Sequence, residues 1–137
     1  MPPPRLLYAA SEHDADILYP TGFFAPDPFL CLIAGSRTIL VMSDLEMDRA
    51  KRESKATHVW SWTRMAARST PGAGAPRAEH VIAACLKRLG TKRAEVPASF
   101  PLGLARNLEA MGFRLSVAKE PFWPAREIKT RDEVKKI

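Results

Sequence analysis

Residues Phe29 to Met42 hold two apolar runs, Phe-Leu-Cys-Leu-Ile-Ala and Thr-Ile-Leu-Val-Met, around Gly35-Ser36-Arg37. A short polar linker with a glycine lets the chain reverse while both flanks keep strand character, so the stretch reads as a β-hairpin. Neither run alternates polar with apolar residues. A strand that is apolar on successive positions has to be covered on both faces, which places this hairpin in the middle of a sheet with helices above and below. The remaining segments then act as cover or as sheet edge.

Those segments supply the expected parts. Leu6–Ala10 is a first strand behind Met1-Pro-Pro-Pro-Arg5, and Ser11–Asp16 caps a short turn before Ile17–Phe24. Ser43-Asp-Leu-Glu46 has capping-box spacing and opens a helix over 44–54, whose charged outer face is solvated. Thr57–Thr63 is expected as a strand, and a period of two puts His58, Trp60, Trp62 and Arg64 on one face. Two readings of that aromatic face stay open: another surface completes it, or a helix of the same domain covers both tryptophans. Val81, Ile82, Cys85, Leu86 and Leu89 form a helical stripe stopped by Gly90, with His80 off the stripe. Lys92–Val96 is a short strand. Pro101 opens a helix with inner residues Leu104, Ala105, Leu108 and Met111, stopped by Gly112, and Phe113–Val117 is the last strand. This order implies an α/β fold with a mixed sheet between helical layers.

The chemistry-bearing residues do not assemble into a catalytic set. His13, Asp14 and Asp16 sit in a turn without a second ligand cluster, and the glycines of residues 69–76 lack the spacing of a phosphate loop. Cys31 and Cys85 occupy apolar positions expected for buried, reduced thiols, consistent with a cytoplasmic protein. No apolar run approaches the roughly 20 residues of a membrane span. The formal net charge is +6, but lysine and arginine are dispersed, so nucleic acid is not an expected partner.

Three motifs add a family reading. Tyr19-Pro-Thr-Gly-Phe23 before the hairpin, Ser43-Asp-Leu-Glu46 after it, and Arg126-Glu-Ile-Lys-Thr-Arg-Asp-Glu-Val-Lys-Lys-Ile137 at the end resemble, in order and separation, the N-terminal domain of the creatinase/prolidase/aminopeptidase P family. The resemblance implies a three-layer α/β/α fold with a ribonuclease H-like mixed sheet over residues 1–125. It makes residues 126–137, with Arg126, Lys129 and Glu133, the junction to the first helix of an absent catalytic domain. It further implies a non-catalytic domain of a proline-directed metallohydrolase, an Xaa-Pro aminopeptidase or dipeptidase, that supports subunit association and walls the substrate cleft. Tyr19, Phe23, His58, Trp60, Trp62 and Arg64 are the candidates for that interface or wall. No cofactor is expected in this chain; a pair of divalent ions (Mn, Co or Zn) belongs to the absent domain. The implied partners are that catalytic domain and a second copy in a homodimer. The alternative is a free-standing basic α/β module that binds nucleic acid or an acidic protein. Thr130-Arg-Asp-Glu133 is a second capping-box pattern followed by an apolar stripe at Val134 and Ile137, so the native polypeptide is expected to continue past Ile137.

Overall fold

The computed structural model describes residues 3–9, 29–69 and 77–118. They form six strands and four helices: β1 (Arg5–Ala9), β2 (Phe29–Ala34), β3 (Arg37–Met42), α1 (Asp44–Glu53), β4 (His58–Ser61), α2 (Trp62–Arg68), α3 (Ala78–Leu89), β5 (Arg93–Val96), α4 (Leu102–Ala110) and β6 (Arg114–Val117). The strands make one mixed sheet in the order β4-β3-β2-β1-β5-β6. Strand β2 is antiparallel to both its neighbours, β1 and β3, whereas the pairs β3/β4, β1/β5 and β5/β6 are parallel.

The hairpin forms as expected. Ala34 pairs with Arg37, which leaves Gly35 and Ser36 as the loop. Gly35 has φ +62°, and no non-glycine among the described residues has a positive φ. Glycine is favoured at that first loop position because it takes a left-handed conformation without a Cβ clash.

Burial on both faces explains the unbroken apolar runs. Leu30, Leu32, Ile39 and Val41 point to one side, where they join a cluster with Leu6, Ala94, Val96 and the buried residues of α2, α3 and α4. Cys31, Leu40, Met42 and Leu7 point to the other, against Ala50 of α1. Among the described residues the two clusters are the interfaces of a three-layer arrangement, thick on the first face and thin on the second. Helix α3 buries Val81, Ile82, Cys85 and Leu86 as the stripe requires, and it stops at Gly90, whose φ of +76° forms a left-handed cap.

Local differences have identifiable causes. The expected capping box at Ser43 does not form, since the Ser43 side chain makes no cap hydrogen bond. Glu46 instead binds Arg49 at 2.8 Å, an i,i+3 pair that draws its carboxylate away from the helix start. Met111 lies past the end of α4 and is 43% exposed, so it does not belong to the inner stripe. Strands β5 and β6 each start one residue later than expected, and Phe113 is buried just before its strand. The readings on Tyr19, Phe23, Arg126, Lys129 and Glu133, together with the turn at 11–16 and the loop at 70–76, lie outside the described residues. Among the described residues no helix is long and apolar enough to cross a membrane.

Leu32 is fully buried in the hairpin and Leu45 is 95% exposed on α1. Leu32→Ala is expected to cost about 2–5 kcal/mol through lost burial and a residual cavity, while Leu45→Ala stays within about 0.5 kcal/mol. The urea midpoints of the two variants measure the contrast.

Burial pushes the thiols of Cys31 and Cys85 up from 9.0 to about 12, with Arg88 partly opposing the shift at Cys85. Above pH 9 the unfolded chain releases protons that the folded chain still holds. The stabilisation from the protonated thiols is therefore complete below pH 9 and is lost as pH rises toward about 12. Denaturant melts across that window should show the fall, and replacing both cysteines by alanine should flatten it.

Candidate functional site

The tryptophan segment folds differently from its period-two reading. Strand β4 ends at Ser61, and Trp62 and Arg64 belong to helix α2. The expectation of one strand face shared by His58, Trp60, Trp62 and Arg64 is thereby corrected. The cause is Ser61, whose hydroxyl accepts the Arg64 backbone N–H at 3.1 Å and so satisfies an amide at the helix start. The same hydroxyl donates to Asp44 Oδ1 at 2.6 Å, which ties the start of α2 to the start of α1. Ser61 is 7% exposed and Asp44 is exposed, so this junction is a partly buried polar contact with both roles of the hydroxyl used.

The change of element brings the aromatic side chains together from two directions. Val41 is the register partner of Trp60, and Leu30 is the partner of both Val41 and Tyr8, so Tyr8, Leu30, Val41 and Trp60 form one row across the first sheet face. Trp62 reaches that face from α2 and stacks on Tyr8, with centroids 6.2 Å apart and an interplanar angle of 28°. The Arg88 guanidinium of α3 lies 4.2 Å above the Trp60 ring centroid, and its Nη1 is 3.9 Å from Met65 Sδ. Both tryptophans are half-buried and pack on the first core cluster. Burial raises the Tyr8 phenol above its ordinary value.

His58 and Arg64 remain exposed. His58 shares the Trp60 side of β4 by alternation, two residues earlier, and its Nδ1 lies 2.9 Å from Thr57 Oγ1. Arg64 is carried outward on α2. The structure therefore unites Trp60 with Trp62 and leaves His58 and Arg64 at the margin. Tyr8, Met65 and Arg88 were missing from the sequence reading, because strand register and helix docking bring them in. His80, off the apolar stripe, is half-buried and accepts the Arg77 backbone N–H through Nδ1 at 3.0 Å, so it serves the start of α3.

This arrangement can pack, stack and present cations. Among the described residues there is no group of three or more His, Cys, Asp or Glu side chains able to hold a metal ion. Those residues do not fit a divalent metal centre.

The sequence matches the family described as the Creatinase/Prolidase N-terminal domain over residues 7–128. Among curated proteins none matches. The fold is similar to part of an X-Pro aminopeptidase from Thermotoga maritima MSB8, with a TM-score of 0.62, 18% identity, and coverage of 85% of this chain and 30% of that one. It is similar to part of the prolidase from Pyrococcus horikoshii OT3, with a TM-score of 0.58, 19% identity, and coverage of 85% and 28%. An Xaa-Pro aminopeptidase chain from Streptococcus pyogenes gives a TM-score of 0.58 at 17% identity, with coverage of 85% and 78%. The chain thus spans less than a third of the first two relatives.

Because the Ser61 hydroxyl serves α2 and Asp44 together, Ser61→Ala is expected to cost about 1–2 kcal/mol. Ser43→Ala, which removes no cap bond, should stay within about 0.5 kcal/mol. Equal losses in thermal or denaturant melts would contradict the assignment of the cap.

Proposed function

The chain belongs to the creatinase/prolidase N-terminal domain family, and on that premise we propose that it is the non-catalytic N-terminal domain of a proline-directed metallohydrolase, an Xaa-Pro aminopeptidase or dipeptidase. Its role in that protein is to support subunit association and to wall the substrate cleft. The observation that carries this reading is the family match over residues 7–128, with a sheet whose architecture is similar to part of two much longer Xaa-Pro peptidases. The catalytic domain, its pair of divalent ions and a homodimeric assembly belong to the same proposal, as does residence in the cytoplasm.

The tryptophan junction suits a wall better than a reaction centre. Trp60 and Trp62 are held by Arg88, Tyr8 and the core, so they give a rigid backing with little entropy left to lose. His58 and Arg64 are the exposed groups beside that backing, and arginine at the rim of a packed aromatic cluster is a common anchor of protein contacts.

Four measurements test the proposal. Titrated with Mn²⁺, the 137-residue chain should give no saturable isotherm, and with Mn²⁺ present it should not hydrolyse an Xaa-Pro dipeptide. Tight stoichiometric binding or turnover would show that the chain carries its own centre. Sedimentation at rising concentration should show self-association that Arg64→Glu weakens; an unchanged profile removes Arg64 from the interface. Retention on nucleic acid that falls steeply with salt would favour the basic-module alternative.

A further inference from the structure

The sheet face that α1 partly covers changes character beyond β1. Helix α1 contacts β3 and β4, and among the described residues no helix lies over that face of β5 and β6. Ala94, Val96 and Leu115 pack on the opposite, thicker layer. Strand alternation therefore puts Arg93, Glu95, Arg114 and Ser116 on the thinly covered side. Arg5 shares it, since Leu6 points the other way, and Arg5 Nε meets Glu95 Oε1 at 3.0 Å.

Two rows result. In one, Arg5 pairs with Glu95 and Glu95 with Ser116 in register. In the other, Arg93 is the register partner of Arg114. Adjacent strands lie about 4.8 Å apart, and like charges set directly opposite on one face destabilise a sheet. Both arginines are exposed, and neither has an ion pair among the described residues, where Glu95 is engaged by Arg5. They border a concavity of about 280 Å³ lined also by Pro3, Ala94, Leu115 and Ser116. A second concavity, of about 550 Å³, shares Pro3 and Arg93 and extends to Arg37 at the hairpin loop, so positive charge continues along this end of the sheet.

We propose that Arg93 and Arg114 together form an oxyanion site for a phosphate group, with the Ser116 hydroxyl as a further donor. One dianion between two guanidinium groups removes their mutual repulsion and accepts charge-assisted hydrogen bonds from both. Its sources are inorganic phosphate and the phosphate of a small phosphomonoester, which present the same chemistry to the arginines. A nucleic-acid strand fits less well. Among the described residues neither concavity is lined by an aromatic side chain on which bases could stack. The site is independent of the peptidase reading, and either can fail without the other.

Titration of the full chain with inorganic phosphate, followed by ³¹P NMR and by backbone amide shifts, tests the site. Saturable binding is expected, with the largest shifts at Arg93, Arg114 and Ser116. Arg114→Gln should weaken it about tenfold or more, and Arg93→Lys, which keeps the charge and loses the fork, by less. Arg106→Gln, an equal loss of charge on the exposed face of α4, should leave it unchanged. Without phosphate, Arg114→Gln should raise the melting temperature, because a like-charge pair is relieved. Phosphoserine binding more tightly than inorganic phosphate would identify a monoester as the source, and the reverse order would identify the free ion. Absence of saturation, equal weakening by Arg106→Gln, or tighter binding of a tetra-aspartate peptide than of either phosphate compound would overturn the proposal.

Discussion

Burial of one hairpin on both of its faces is the constraint from which the rest of this structure follows. Leu30, Leu32, Ile39 and Val41 on one side and Cys31, Leu40 and Met42 on the other are each at most 4% exposed. A hairpin that is apolar on both sides cannot sit at a surface, so it needs strands beyond it and helices over it. The described helices meet that demand unequally. Helix α3 places six consecutive residues, Val81 to Leu86, in the interior, whereas α1 buries only Ala50. A small residue at the point of contact lets α1 lie close to the sheet, while its charged side chains stay in water. Among the described residues the thick layer holds the larger apolar cluster, and the thin layer the smaller one with Leu7, Cys31, Leu40 and Met42.

The same asymmetry shapes the functional surfaces. On the thick side, the end of β4 turns into α2 at Ser61, and the turn holds two tryptophans against the core under Arg88 and beside Tyr8. Side chains fixed in this way define shape more than chemistry. On the thin side, the sheet beyond β1 needs no apolar cover where its outward residues are Arg5, Glu95, Arg93 and Arg114. The cost of that polarity is the charge repulsion along the Arg93/Arg114 pair.

Nearly all the regular elements could be read from residue pattern because each carries its own local signal. The hairpin has a glycine with positive φ between apolar runs. Helix α3 has its i, i+3, i+4 stripe and Gly90, and α4 has Pro101 at one end and Gly112 near the other. Trp62 shows where pattern fails. Residues 57–63 alternate like a strand, yet one serine that caps the Arg64 amide ends β4 at its fourth residue. Helix and strand compete closely in such a short segment, and the contact from Ser61 to Asp44, 17 residues earlier, adds a term that no local window contains. At Ser43 the failure has the opposite sign, because a well-spaced capping box lost its glutamate to Arg49.

Sequence alone therefore determined the α/β class, the central hairpin with cover on both faces, the helix stops at Gly90 and Gly112, and the family, through motifs spread along the chain. Tertiary structure alone decided which residues meet. The register that lines up Tyr8, Leu30, Val41 and Trp60, the docking of α3 that brings Arg88 over Trp60, and the parallel pairing that sets Arg93 beside Arg114 all join residues far apart in the chain. Periodicity reports which face of an element is apolar. It carries no information on which elements become neighbours, because that choice is made by summed burial over the whole fold.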